Sequence, residues 1–281
     1  MAGVFFSQGK WTDENPKLTG PMDHAFWMST VVFDGARSIR GLVPDLDLHC
    51  ERLVRSTEAM LMNSPLPADE IAALCREGIR KMPRESELYV RPMVFAREGF
   101  VSPDPDSAEF VLAVYDSPMP GDGGFSACFS SFRRPARDQA PTDAKASCLY
   151  PNSQRALREA TQRGFDNAIL CDPNDNIAEF ATANIWIAKD GVAMTPAANG
   201  TFLAGITRRR VIQLLRDDGI EVIECPLRRQ DILEADEVFN SGNYGKVMPV
   251  VRVEDRDFQP GPITKRAHDL YFEFANDASV F

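Results

Sequence analysis

The sequence is short of histidine and lysine and has no patterned cysteine. Histidine occurs at His24, His49 and His268 only, and there are seven lysines against twenty-four arginines. The histidine spacing matches no metal-binding pattern. The cysteines, Cys50, Cys75, Cys128, Cys148, Cys171 and Cys225, lie too far apart for a C-x-x-C zinc or dithiol motif. No metal is expected, and the cysteines read as reduced, packed thiols. No apolar run approaches the ~18 residues of a membrane span. The segment Met1–Phe6 lacks the basic and long apolar stretches of a secretory signal, so the expectation is a cytoplasmic chain without membrane contact. Basic surplus is missing too. A formal net charge of −10 runs against nucleic-acid binding, which needs a basic face. It leaves room for a local anion pocket, and arginine forks suit carboxylate and phosphate. The strings G-x-G-x-x-G, G-x-x-x-x-G-K-[ST] and G-x-S-x-G are absent, which removes the usual signs of a dinucleotide fold, a P-loop and a hydrolase elbow.

What is present is an ordinary globular composition, 44% hydrophobic and 26% charged over 281 residues, enough for about two domains at roughly 150 residues each. The β-branched and aromatic run over 30–33 ends at the turn signal Asp34-Gly35. Apolar spacing predicts helices over 45–62 and 68–82, then strands over 88–96, 110–115 and 125–132. The densest Pro/Gly cluster, 117–124, is the expected linker, giving a small N-terminal domain over 1–120 and a larger C-terminal domain over 121–281. In the second, helices are expected over 152–163, 206–218 and 263–275. Strands are expected over 167–170, 183–188, 192–195, 221–224 and 237–240, and Arg133–Ala146 reads as loop. The fold class is α+β with two sheet-containing domains.

Three local features carry chemistry. Gly205-Ile206-Thr207 opens a predicted helix, where unpaired N–H groups and the positive dipole end favour an anion. Ser241-Gly242-Asn243-Tyr244-Gly245 is a loop whose backbone can approach a ligand closely. Lys145 sits in a loop in a chain with few lysines. These residues alone describe an anion-binding enzyme of undefined reaction.

Taken in order, four motifs resemble the class IV aminotransferases, the fold-type IV enzymes that depend on pyridoxal 5′-phosphate (PLP). Val32-Phe33-Asp34-Gly35-Ala36-Arg37 is similar to V-F-E-G-I-R, and His49-Cys50-Glu51-Arg52-Leu53 to H-x-x-R-L. Glu179-Phe180-Ala181-Thr182-Ala183-Asn184-Ile185 is similar to E-G-S-G-x-N-[IL]-F, and Leu203-Ala204-Gly205-Ile206-Thr207-Arg208 to L-x-G-I-T-R. The likeness runs from about His24 to Tyr271, and its nearest look is to the branched-chain-amino-acid aminotransferases. It implies a two-domain fold-type IV enzyme of the D-amino-acid and branched-chain aminotransferase kind, a small α/β domain beside a larger, barrel-like one. It implies that Lys145, in K-x-x-x-x-Y with Tyr150, is the Schiff-base lysine and the base of the reaction. Glu179 is then the partner of the pyridine nitrogen, Tyr150 of the ring hydroxyl, and Leu203 packs on the ring. Arg52, Ile206 and Thr207 hold the phosphate, joined by Asn243, which falls where the family often has a phosphate-binding threonine. A homodimer is implied as well.

On the substrate side, Glu87-Leu88-Tyr89-Val90-Arg91-Pro92 resembles the Y-[IV]-R-P strand of the branched-chain enzymes. There the tyrosine meets the α-carboxylate and the arginine the distal carboxylate of glutamate. Tyr89 and Arg91 alternate with Leu88 and Val90 and so share one face. With Phe33, Met28 and Tyr244 they form the expected substrate set, for a branched-chain L-amino acid as donor and 2-oxoglutarate as 2-oxo acid acceptor. Three segments differ from those enzymes: Met28 stands at a usual tyrosine, 99–104 lacks the G-M-type loop, and Ser241–Lys246 replaces S-G-T-A-A-E. An (R)-selective amine or D-amino-acid transaminase using pyruvate is the alternative. A lyase of the aminodeoxychorismate type and a non-catalytic binding protein are the others.

Overall fold

The computed structural model describes residues 2–278. They divide into two compact units. The first comprises 2–119, 143–149 and 275–278, the second 120–142 and 150–274. The chain therefore changes unit near residue 120 and then returns twice. The expected single division at 120 places Lys145 with the C-terminal part, whereas the structure packs its segment into the first unit. The reason is burial: Ala144 and Ala146 are 1% and 0% exposed in that unit's core, and Ala146 bridges to Val32.

In the first unit the order is β1 (Gly3–Ser7), β2 (Lys10–Thr12), α1 (His24–Met28), β3 (Val31–Phe33), β4 (Ala36–Ile39), α2 (Leu46–Ala59), α3 (Ala68–Arg80), β5 (Glu87–Ala96) and β6 (Ala108–Asp116). The six strands form one antiparallel sheet ordered β2-β1-β6-β5-β3, with β4 also on β5. In α3, Ile71, Cys75 and Ile79 recur every four residues and are buried, with Asp69 and Glu70 in the first turn and Arg80 in the last. That pattern suits both the amphipathic stripe and the helix dipole. The stripe packs with Leu53 of α2 and with Leu88, Val90 and Val94 of β5 in one core. The alternate β5 residues, Tyr89 and Arg91, are left on the other face, as a period of two requires.

In the second unit the order is β7 (Phe125–Arg133), α4 (Tyr150–Gln162), β8 (Asn167–Cys171), β9 (Ile177–Phe180), β10 (Asn184–Lys189), β11 (Val192–Pro196), α5 (Ile206–Asp217), β12 (Val222–Cys225), α6 (Arg229–Leu233), β13 (Glu237–Gly242), β14 (Lys246–Val253), β15 (Arg256–Asp257) and α7 (Pro262–Ala275). The sheet runs β12-β11-β10-β13-β14-β7-β8-β9, with β15 on β14. It is curled, because its last strand, β9, comes back against β10. Both faces are buried. Ile185, Ile187, Phe129 and Ile169 line the inside, while their neighbours face helices on the outside, Trp186 and Ala188 towards α5 and α7, Cys128 and Ala168 towards α4. The start of α7 is satisfied by Glu237 of β13, whose carboxylate accepts from Ile263 N, Thr264 N and Thr264 Oγ1.

The expected helices and strands are found within a few residues. The strand the sequence hides best is β14, which lies between β13 and β7. Its Pro249 argues against an interior strand, because proline cannot donate to the ladder. The structure accommodates it next to an irregularity, a register shift between Val250 and Arg252. Among the described residues no helix is long and apolar enough to cross a membrane.

Candidate active site

The first unit assembles its share of the candidate residues around the end of β3. Lys145 is fixed by its backbone: its N–H donates to Ser56 Oγ at 3.0 Å, and its carbonyl accepts from Phe33 N at 3.1 Å. With Ala144 and Ala146 buried on either side, the Lys145 side chain turns the other way, and its Nζ lies 4.9 Å from the centre of the Phe33 ring. Beyond Phe33, the buried Asp34 binds two residues of one face of α2, three positions apart. Its Oδ1 is 2.6 Å from His49 Nδ1, and Arg52 donates from Nε to Oδ2 at 2.7 Å and from Nη2 to Oδ1 at 2.9 Å. Burial alone would push the Asp34 carboxyl up. The charges of Arg52 and His49, and their hydrogen bonds, outweigh it and hold the group well below the usual carboxylate range. The bidentate pair fixes the plane of the Arg52 guanidinium.

Next to this lies an aromatic and cationic cluster. Tyr89 stacks on Tyr115 across the β5–β6 ladder at 5.7 Å, and the Arg91 guanidinium is 5.1 Å from both rings and donates to the Tyr115 hydroxyl. Gly35 makes the room: a Cβ there would meet the Tyr89 hydroxyl at 2.2 Å. Arg37, fully buried, reaches the Tyr89 ring from β4 and donates to the carbonyls of Ser117 and Pro118. Burial raises the phenol of Tyr115, with Arg91 and Arg37 pulling the other way and Tyr89 adding to the rise. Met28, the last residue of α1, stays 36% exposed.

In the second unit the residues gather at one end of the curled sheet. Glu179, on β9, has one oxygen 3.2 Å from Arg134 Nε and the other 3.4 Å from Asn184 Nδ2. Arg134 is itself buried and also donates to Thr201 O. Asn184 donates to Leu203 O at 3.0 Å, which ties Leu203 to the same spot. Gly205 must be glycine, since a Cβ would meet Asn184 Oδ1 at 2.1 Å. Gly205 then starts α5 with no side-chain cap, so the first N–H groups of that helix, with Ile206 and Thr207, present an anion site. Arg208 anchors this end, bonding Thr195 Oγ1, Pro196 O and Glu224. Asn184 also pairs in register with Ser241, which brings in the turn carrying Asn243 and the exposed Tyr244. Tyr150 is the first residue of α4.

The profile of the family described as Amino-transferase class IV matches residues 31–253. The chain belongs to the class IV aminotransferases. An aminotransferase from Brucella abortus, solved bound to PLP, is 43% identical with a TM-score of 0.97, over 98% of this chain and 100% of that one. The branched-chain-amino-acid aminotransferase of Salmonella typhimurium is 35% identical over 94% of this chain and 89% of its own length. The branched-chain aminotransferase of the thermophilic archaeon Thermoproteus uzoniensis, solved with norvaline, has a TM-score of 0.90 at 30% identity, over 98% of this chain and 96% of that one. The enzyme uses PLP, and the residues present fit it. A lysine amine suits the aldehyde, a carboxylate the ring nitrogen, and an uncapped helix start the phosphate. The buried Asn243 Nδ2, which has no hydrogen-bond partner, offers a further donor for an anion.

Sequence reasoning did not pick out Tyr115 or Arg134, nor Asp34 as the link between its two motifs. Tyr115 could have been found by pairing the two predicted strands as a hairpin, which sets it opposite Tyr89. For Arg134, in a loop 45 positions from Glu179, no local signal exists.

Proposed function

We propose that the enzyme moves the amino group of a branched-chain L-amino acid to 2-oxoglutarate by a ping-pong mechanism. The Tyr89–Arg91–Tyr115 cluster carries this reading. Its aromatic rings supply apolar surface beside the substrate side chain, and its guanidinium suits a second carboxylate. The branched-chain relatives, and the apolar amino acid norvaline in one of their structures, support it.

Bound PLP supplies the electron sink that stabilises negative charge at the substrate Cα. Lys145 would hold the cofactor through its amine, and that amine, when free, would serve as the base that takes and returns the proton of the substrate Cα. Glu179, oriented by Arg134 and Asn184, keeps a proton on the ring nitrogen. Tyr150 donates to the ring hydroxyl oxygen, and Leu203 packs on the ring. Arg52, Ile206, Thr207 and Asn243 hold the phosphate. Phe33, Met28, Tyr89, Arg91 and Tyr244 face the substrate.

The test is the visible spectrum of the holoprotein with L-leucine and no acceptor. Loss of the lysine-bound cofactor band with gain of the pyridoxamine band is expected. In steady state, Arg91→Gln should raise KM for 2-oxoglutarate by about tenfold to a hundredfold and leave that for leucine nearly unchanged. A band that ignores L-leucine but responds to an (R)-amine would overturn the branched-chain reading in favour of the amine alternative.

The enzyme is further proposed to act as a homodimer in the cytoplasm. Support comes from an apolar surface on the first unit, where Phe26 and Phe100 are 63% and 78% exposed and Trp27 packs on Phe100. Exposed aromatic side chains grouped in this way suit a contact with another protein surface. Sedimentation as a monomer at micromolar concentration would remove the dimer.

A further inference from the structure

Lys246 opens β14, is 0% exposed and has a φ of 61°. A lysine is almost never fully buried unless its ammonium is well bonded. Its Nζ donates to Asn243 Oδ1 at 2.9 Å and lies 5.5 Å from the centre of the buried Tyr271 ring. An ammonium can only donate, so this bond decides which way the Asn243 amide faces. The oxygen is turned to Lys246, and the NH2 group is turned away. That Nδ2 is buried without a hydrogen-bond partner, an arrangement that is costly unless an acceptor completes it.

The surroundings say which kind of acceptor. Gly242 packs on Ala183, and Ser241 pairs with Asn184, the residue that bonds Leu203 and sits against Gly205 at the start of α5. The amide is therefore at the same end of the sheet as Glu179 and the helix start. A positive charge behind it, polarising the amide through Oδ1, strengthens its N–H groups as donors to a negative oxygen.

We propose that Lys246 is a positioning residue for oxyanion recognition. It holds Asn243 with its NH2 group turned to an oxyanion, the phosphate of the cofactor or the carboxylate of the substrate, and so sets how tightly that group is bound. The inference rests on the aminotransferase reading of this site, and not on which amino donor is used.

Two ligand pairs separate the sources. Full-length apoprotein is titrated with PLP and with pyridoxal, which lacks the phosphate. The holoprotein is titrated with 4-methylpentanoate and with its neutral amide, followed by the visible band. Asn243→Ala and Lys246→Met should each weaken the oxyanion member of one pair by about tenfold, with its neutral member changing less than about twofold. The pair that responds identifies the oxyanion. The double variant should bind no more weakly than Asn243→Ala alone, because Lys246 acts through Asn243. Lys246→Gln, whose amide can donate to Oδ1, should recover most of the loss. Equal losses for charged and neutral ligands, or additive losses in the double variant, would overturn the proposal. If Lys246→Met does not fold, Lys246→Gln and Asn243→Ala still decide: Asn243→Ala binding all four ligands like the parent overturns it. A failure of the L-leucine test leaves the PLP arm readable.

Discussion

Lys145→Ala is expected to abolish transamination, with turnover falling by about ten-thousandfold and the lysine-bound cofactor band absent from purified protein. In the proposed mechanism two functions are lost at once, the amine that holds the aldehyde and the base that moves the proton. The Lys145 Nζ lies against the Phe33 ring, its N–H meets the Ser56 hydroxyl, and two buried alanines flank it. The local backbone should keep its place. The backbone bonds that place residue 145, to Ser56 and from Phe33, do not use its side chain. The lost contact with the Phe33 ring is worth about 0.5–1 kcal/mol, a fall in the melting temperature of the apoprotein of about 2–4 °C. Retained turnover would remove Lys145 from the mechanism. A large fall in melting temperature would instead make it structural.

How much of this could be read from the residues depends on the range of each interaction. Patterns carried within one element are legible. The stripe of α3, the alternation that puts Tyr89 and Arg91 on one face, and the uncapped start of α5 all follow from neighbours within a turn or two. Contacts set by the meeting of elements are not. His49 and Arg52 announce themselves as one helix face, but their shared carboxylate comes from a turn 15 and 18 positions earlier. Glu179 is conspicuous, whereas the buried Arg134 beside it sits in a stretch that reads only as loop. The return of 143–149 to the first unit depends on two alanines finding a core built from other segments, and alanine carries no directional signal. Pro249 hides β14 for the opposite reason, since a strong local preference is overridden by the strands on either side. Lys246 is the plainest case: a lysine in a turn reads as solvated, and only the fold shows that it is enclosed.

Asp34→Asn should destabilise the protein by about 3 kcal/mol, because it leaves the Arg52 guanidinium and His49 facing a neutral amide where a fully buried carboxylate had satisfied both. The size follows from asymmetry: removing one partner of a buried pair costs more than the pair itself contributed, since the remaining charge cannot return to water. The pH dependence identifies the cause. In the folded chain the Asp34 carboxyl is held well below the usual range, whereas in the unfolded chain it takes up a proton near pH ~3.9. As pH falls past that point the unfolded state binds a proton that the folded state refuses, so the contribution of Asp34 to stability is complete above it and drains away below it. Urea midpoints should therefore show the gap between the parent and Asp34→Asn narrowing steadily as pH falls below about 4. A gap that persists undiminished at pH ~3 would mean that the loss is one of packing and not of charge. The same variant tests the route from Asp34 to the cofactor. If the carboxylate serves to fix the Arg52 plane, affinity for PLP falls with Asp34→Asn while affinity for pyridoxal, which has no phosphate for Arg52 to meet, stays close to that of the parent.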